Sequence, residues 1–211
     1  AVICAGISNL NFCRNNHEIA EKINVENILL LARKLNKRNV HITYISSNLV
    51  FDGNTPNKCP ADQVNPKTVY GSLKAKAEIR LRDTCEQLAI IRITKVFHKN
   101  MGLLKHWNSC LSYNKVIRVF SDYHCAPLDL RTTIIGIYYV TINHLSGIWQ
   151  FSPMNDVKYS EIASELAYIK NYNRELIKQV SSIDTGKLEH SPCHTTLDST
   201  RSRSELNLNF M

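Results

Sequence analysis

Glycine is scarce in this chain. Seven of its 211 residues are Gly and six are Pro, too few for a collagen-like or Pro/Gly-rich disordered protein. The glycines stand at 6, 53, 71, 102, 136, 147 and 186. None is close to another, so no glycine-rich strand-to-helix turn of the kind that cradles a pyrophosphate can be read. No apolar run approaches the roughly 20 residues of a membrane span. The best candidate, "TIIGIYYVTI" at 133–142, reads as a buried helix or strand. The opening "AVICAGISNL" has no basic leader and no cleavage site. The seven cysteines (4, 13, 59, 85, 110, 125, 193) form no C-x-x-C pair. Their odd number reads as reduced thiols in a cytoplasmic protein. "HSPCH" at 190–194 has no second ligand cluster, so it reads as a polar loop and no metal is expected. There is no internal repeat and no low-complexity segment.

What remains is a chain able to bury a core, with 44% apolar residues. Its 26 basic and 18 acidic residues leave +8, which favours anionic partners. No nucleic-acid-binding motif appears; the scattered basic residues read either as a solvated surface or, more sharply, as a site for a phosphate-bearing small molecule. "AVICAG", "NVHITYISS" and "LAIIRI" read as strands. Between them, "NNHEIAEKINVENILLLARKLNKRN" and "TVYGSLKAKAEIRLRDTCEQ" read as helices. In the first helix Ile19, Ile23, Leu30 and Leu31 stand near helical spacing as the apolar stripe. This alternation indicates an α/β fold with a parallel sheet. Further on, "NMGLLKHWNSCLSYN" reads as a helix, and "KVIRVFSD" and "SGIWQFS" as strands. "YSEIASELAYIKNY" reads as a helix with Ile162, Leu166 and Ile169 on one stripe and Asn155 or Asp156 as its cap.

The chemistry concentrates in two stretches, "SSNLVFDG" at 46–53 and "VYGSLK" at 69–74. Ligands of an open parallel sheet bind beyond the carboxyl ends of its strands, where Ser46 and Ser47 fall. Tyr70 and Lys74 are four apart, one turn on a single helix face. An ammonium beside a phenol lowers the phenol pKa from about 10. Such a Tyr can donate a proton to a carbonyl oxygen as it gains charge. A serine hydroxyl nearby can hydrogen-bond the same oxygen. A bare Y-x-x-x-K arises by chance in many chains; its place after a strand that ends in hydroxyls gives it weight.

These residues resemble the extended short-chain dehydrogenase/reductases, specifically the dTDP-4-dehydrorhamnose reductase group. That group carries Ser-Thr-Asp-Tyr-Val-Phe-Asp-Gly, then Tyr-Gly-x-x-Lys with a Glu four residues on. Here the matching run is Ser46 to Gly53, then Tyr70, Gly71, Lys74 and Glu78. "VICAG", "INVENILLLA" (with Asn24 as the family's helix asparagine), "IIRITKVF", "GIWQFSPMNDVKYSEIA" and "TTLDSTRSRSELNL" extend the similarity over nearly the whole chain. The resemblance implies a Rossmann-like parallel sheet, incomplete at its N-terminal side, with a smaller C-terminal substrate lobe. Residues 1–98 would belong to the nucleotide-binding part and 99–211 mainly to the substrate lobe. It further implies reduction of a keto group on a nucleotide-linked deoxysugar by NADPH or NADH. Tyr70 would be the proton donor, Lys74 would tune it and hold a ribose, and Ser47 would stand in for the family threonine. Ala5 and Gly6 would line the cofactor, and Asn48 and Val50 the substrate.

The sequence departs from the group at Asn48 and Leu49, where the family has Asp and Tyr, and around Pro127. Its first β-α-β section with the glycine turn has no counterpart, as in a fragment or a shortened paralogue, so the cofactor site reads as incomplete. Two readings stay open: a nucleotide-sugar reductase, and a non-catalytic sugar-nucleotide-binding relative similar to the methionine adenosyltransferase regulatory subunit. Expected partners are a nucleotide sugar, no nucleic acid and no membrane; a homo-oligomer stays open.

Overall fold

A computed structural model describes residues 1–182, 184–185 and 189–210. In chain order the elements begin with β1 (Val2–Ile3), α1 (Leu10–Asn15), α2 (His17–Glu21), a π-helical turn at Lys22–Glu26 and α3 (Asn27–Asn36). Then come β2 (Ile42–Ser47), α4 (Val69–Thr84), β3 (Leu88–Ile93), β4 (Lys95–Phe97), α5 (Gly102–Ser112) and β5 (Ile117–Phe120). The rest are β6 (His124–Cys125), β7 (Pro127–Asp129), α6 (Leu130–Ile142), β8 (Gly147–Phe151), β9 (Val157–Lys158), α7 (Tyr159–Ile169), β10 (Ile177–Val180) and α8 (Thr200–Leu206).

Four strands make one parallel sheet in the order β1-β2-β3-β8. β2 and β3 are covered on both faces, which is why their sequences are nearly continuous apolar runs. Successive side chains alternate between the faces. Ile42, Tyr44, Leu88 and Ile90 join the core under α3 and α4, with Ile28, Leu29, Leu73 and Leu81. Ala89, Ile91, Trp149 and Phe151 face the other way, into a core shared with Val140 of α6 and Leu206 of α8. A third core gathers Trp107 and Leu111 of α5, Ile117 and Val119 of β5, and Ala163 and Ala167 of α7, beside the parallel pair β5–β10. The segment after residue 98 thus builds this third core and also returns β8 to the main sheet.

The helix stripes differ from the sequence expectation in instructive ways. Ile19, Leu30 and Leu31 are exposed, and the buried face of the first helical run is Ala20, Asn24, Val25, Ile28, Leu29 and Ala32. The π-helical turn inserts an extra residue per turn, which shifts the phase and brings Asn24 inward. "TIIGIYYVTI" is helical, but only Thr133, Gly136 and Val140 of α6 are buried; Ile134, Ile135, Tyr138, Tyr139 and Ile142 stand exposed. α6 lies so close to the sheet at Gly136 that a Cβ there would meet the Phe151 ring at 2.7 Å. In α7 the fully buried positions are Ala163 and Ala167, with Ile162 and Leu166 half-buried and Ile169 exposed. Its N-cap is Lys158, whose backbone N–H donates to Glu161 at 2.8 Å. Asp156 instead accepts from Thr195.

Candidate functional site

Ser47 ends β2, opposite Ile93 at the end of β3. Beyond these carboxyl ends lies a cleft of about 410 Å³ lined by Gly6, Ser47, Asn48, Tyr70 and Lys74, among others. Each is positioned by a local device. Ser47 Oγ accepts the Leu49 N–H at 3.2 Å, which turns the chain out of the strand into a short 3-10 turn, Asn48–Val50. Thr68 caps α4 by accepting the Gly71 N–H at 3.0 Å, and so fixes where Tyr70 enters. At Gly71 a Cβ would sit 2.1 Å from the Leu49 carbonyl oxygen, so only glycine lets α4 start against that turn. Gly6 sits in the loop after β1 with φ of 150°. Asn24, 1% exposed, clamps this loop by accepting the Ile7 N–H at 2.7 Å and donating to the Ile7 carbonyl at 2.9 Å.

Beneath the cleft Glu78 and Arg92 form a buried ion pair, with Arg92 Nη2 to Glu78 Oε2 at 2.7 Å and Arg92 Nε within 3.2 Å of both oxygens. Ser46 Oγ donates to Glu78 at 2.5 Å. Arg92 also donates to the Pro60 carbonyl and lies over the Phe51 ring. Desolvation makes a lone buried charge costly, and this pairing with full hydrogen bonding offsets it. The network ties β2, α4 and β3 together directly below Ser47 and Tyr70.

Lys74 Nζ donates to the Ile45 carbonyl at 2.8 Å and stands over the Tyr44 ring. Burial lowers its pKa to about 8, against the smaller raising effects of Glu78 and Cys4. Its ammonium is 5.8 Å from the centre of the Tyr70 ring. Burial pushes the Tyr70 phenol up to about 12, the Cys13 thiol adding to the rise. The expected lowering of the Tyr70 pKa is therefore reversed in this structure. Desolvation of the phenolate outweighs an ammonium that is itself partly desolvated and engaged by a carbonyl.

Of the other residues read from sequence, Ala5 is exposed and falls between the cleft residues Cys4 and Gly6. Val50 is fully buried with Phe51, Ala75 and Leu197 rather than on the cleft wall. The far wall is made by Thr94, Lys95, Tyr123, His124, Tyr159 and Thr195; none of these side chains was singled out from sequence, although the resemblance implies that the backbone after Arg92 passes the nicotinamide. Thr94 and Lys95 did carry a signal, since they follow the carboxyl end of β3. Tyr123 and His124 come from "SDYHCAPLDLRTT", where β6 and β7 form in place of a plain loop. Tyr159 opens α7, far along the chain, and only tertiary folding brings it here. Among the described residues no group of three or more His, Cys, Asp or Glu could hold a metal ion.

Known proteins share this arrangement of strands. A dTDP-4-dehydrorhamnose reductase of Bacillus anthracis, solved in complex with NADP, superposes with a TM-score of 0.89 at 18% identity, over 97% of this chain and 73% of that one. A hypothetical dTDP-4-dehydrorhamnose reductase from Sulfolobus tokodaii gives 0.87 at 25% identity, over 99% and 74%. In sequence, the probable low-salt glycan biosynthesis reductase Agl14 of Haloferax volcanii is 22% identical over 213 residues, 96% of this chain and 70% of the relative. Bos taurus methionine adenosyltransferase 2 subunit beta is 29% identical over 96 residues, 46% of this chain and 29% of its own length. Residues 1–210 match the model of the RmlD substrate binding domain, and the chain belongs to that family.

Proposed function

We propose that this protein reduces a keto group on a nucleotide-linked deoxysugar, with NADPH or NADH as hydride source. The observation that carries the reading is the meeting of Ser47, Tyr70 and Lys74 on one cleft at the carboxyl ends of a parallel sheet. The cleft fits the reactive half of a nicotinamide cofactor. Gly6, Tyr70 and Lys74 line the cleft together, and a ribose would rest against the Gly6 backbone beside Tyr70 and Lys74. Among the described residues no glycine-rich turn leads into a helix there to take the pyrophosphate. A nicotinamide supplies hydride when bound; the remaining work falls to the chain. Tyr70, with its pKa near 12, keeps its proton at neutral pH, and an alkoxide forming beside it is basic enough to take it. Ser47 Oγ already accepts from Leu49 N–H, and its proton is held only by a long 3.3 Å contact to Asn48. It is free to turn towards a substrate oxygen. Lys74, at about 8, remains largely cationic at pH 7 and restores charge balance as the phenol gives up its proton.

Residues 1–98 would carry the cofactor side and 99–211 mainly the substrate side. Support for a reducing compartment such as the cytoplasm comes from seven free cysteines. Among the described residues no helix is long and apolar enough to cross a membrane. A second reading, a sugar-nucleotide-binding relative without turnover, is favoured by one observation, the 29% identity over 96 residues to Bos taurus methionine adenosyltransferase 2 subunit beta. The test is reduction of dTDP-4-dehydrorhamnose by the full gene product, wild type against Tyr70→Phe. The substitution should lower turnover by about 10²–10⁴ with ligand affinity unchanged. Wild-type turnover in the variant would reject the role of Tyr70.

A further inference from the structure

We infer that Lys95 is the phosphate-contacting residue of the cleft and that it receives the diphosphate of the nucleotide-linked substrate. This rests on the functional reading above and names a specificity-determining residue for it. The charge inventory of the cleft comes first. Its described lining holds two lysines, Lys74 and Lys95, and no Asp or Glu. Lys74 is occupied: it is buried, donates to the Ile45 carbonyl, and sits at the floor over Tyr44. Lys95 is the opposite case. It opens β4 directly after the buried Thr94, is exposed, and has no ion-pair partner among the described residues. Asp156, which like Lys95 acts on Cys125, is already engaged by the Thr195 N–H and hydroxyl and by His194. The Lys95 charge nevertheless acts on this wall: at the buried Cys125 thiol it opposes the upward push of burial.

A solvated surface lysine would also be exposed and unpaired. What sets Lys95 apart is what surrounds it. Tyr123 and Tyr159 stand together in the same wall, ring centres 5.0 Å apart and inclined by 60°, and offer an aromatic surface to a ring. Thr94 Oγ1 and His124 Nδ1, also from cleft-lining residues, are buried and have no hydrogen-bond partner among the described residues, and buried polar groups are ordinarily satisfied. An aromatic surface, unsatisfied polar atoms and one free ammonium suit a ligand that carries both a ring and a phosphate. With the reacting carbon at Tyr70, a diphosphate leading away along this wall would meet the Lys95 ammonium, which acts as a mobile point charge for phosphate oxygens. A phosphate of the cofactor shares this chemistry, so the test must separate the two.

The experiment is calorimetric titration of the full gene product with dTDP, with thymidine and with NADPH, for wild type, Lys95→Gln and Lys95→Arg. Because Lys95 is exposed, the variants should fold as wild type does, which urea unfolding checks. Loss of one charge-assisted contact should weaken dTDP about tenfold in Lys95→Gln. Lys95→Arg should retain most of the affinity, and thymidine and NADPH should be unaffected. Wild-type dTDP affinity in Lys95→Gln overturns the inference alone. A loss confined to NADPH overturns it by assigning the ammonium to the cofactor. Failure of the wild-type protein to bind dTDP at millimolar concentration overturns the functional reading and this inference with it.

Discussion

Gly71→Ala adds one methyl group where the structure leaves no room for it. The new Cβ would lie 2.1 Å from the Leu49 carbonyl oxygen, 3.0 Å from the Leu49 carbonyl carbon and 3.1 Å from the Pro66 Cβ. Two of these are backbone atoms, so no rotamer change relieves the contact. Restoring even a 3.0 Å approach requires the start of α4 and the Asn48–Val50 turn to separate by about 0.9 Å. Overpacking of this kind costs about 1–3 kcal/mol. The better helix propensity of Ala returns at most about 1 kcal/mol, so net destabilisation is expected. The larger effect falls on the site, because Tyr70 rides on the displaced end of α4 and Ser47 on the other side of the gap. A displacement near 1 Å can cost about 10²-fold in rate. The assay is urea unfolding together with steady-state turnover. Gly102→Ala is the control: nothing lies within 4 Å of a Cβ there, and the change should be neutral or mildly stabilising. If Gly71→Ala matched Gly102→Ala in both stability and turnover, the claim that a glycine sets the Tyr70–Ser47 spacing would fail.

Glu78→Gln leaves Arg92 charged in a site where Glu78 is 1% and Arg92 2% exposed. Breaking one half of a buried pair costs about 3–5 kcal/mol, which thermal or urea unfolding should show as a lowered midpoint; removal of the exposed Lys76, which pairs with Glu21, should change it little. His41 is buried and stacked on His144, ring centres 5.2 Å apart, and burial first, then His144, lower its pKa from 6.5. The unfolded chain then binds the extra proton more readily, so stability is full above about pH 6.5 and declines as pH falls from there towards the folded-state pKa. Urea midpoints taken through this window should fall for wild type and flatten for His41→Phe; an unchanged slope in the variant would place the titrating group elsewhere.

The sheet was legible because β2 and β3 are covered on both faces, and such strands show as unbroken apolar runs. The convergence of Ser47, Tyr70 and Lys74 on one cleft was legible because they lie at a strand end and on one helix turn, where spacing in the chain translates directly into space. The stripe of Ile19, Leu30 and Leu31 misled because a π-helical turn and an inward Asn24 rephase the helix, and apolar periodicity contains no sign of either. The α6 segment misled differently: its run of Ile and Tyr reads as buried, yet only a face as narrow as Thr133, Gly136 and Val140 meets the sheet. The pKa of Tyr70 could not be read from Y-x-x-x-K, since the motif states which ammonium is near but not how deeply the phenol is buried. The far wall of the cleft is assembled from β4, β6 and α7, whose meeting depends on tertiary packing alone.

The most direct test of the central claim is to follow the hydride itself. The full gene product is mixed with dTDP-4-dehydrorhamnose and, in parallel reactions, NADPH or NADH deuterated on the reactive face of its nicotinamide, and the sugar nucleotide is examined by mass spectrometry and NMR. The account predicts a reduced sugar carrying a single deuterium at the former keto carbon, with its formation suppressed in Tyr70→Phe. Sugar nucleotide that binds but returns unreduced and unlabelled, in the presence of saturating cofactor, would contradict it and establish a binding protein in place of a reductase.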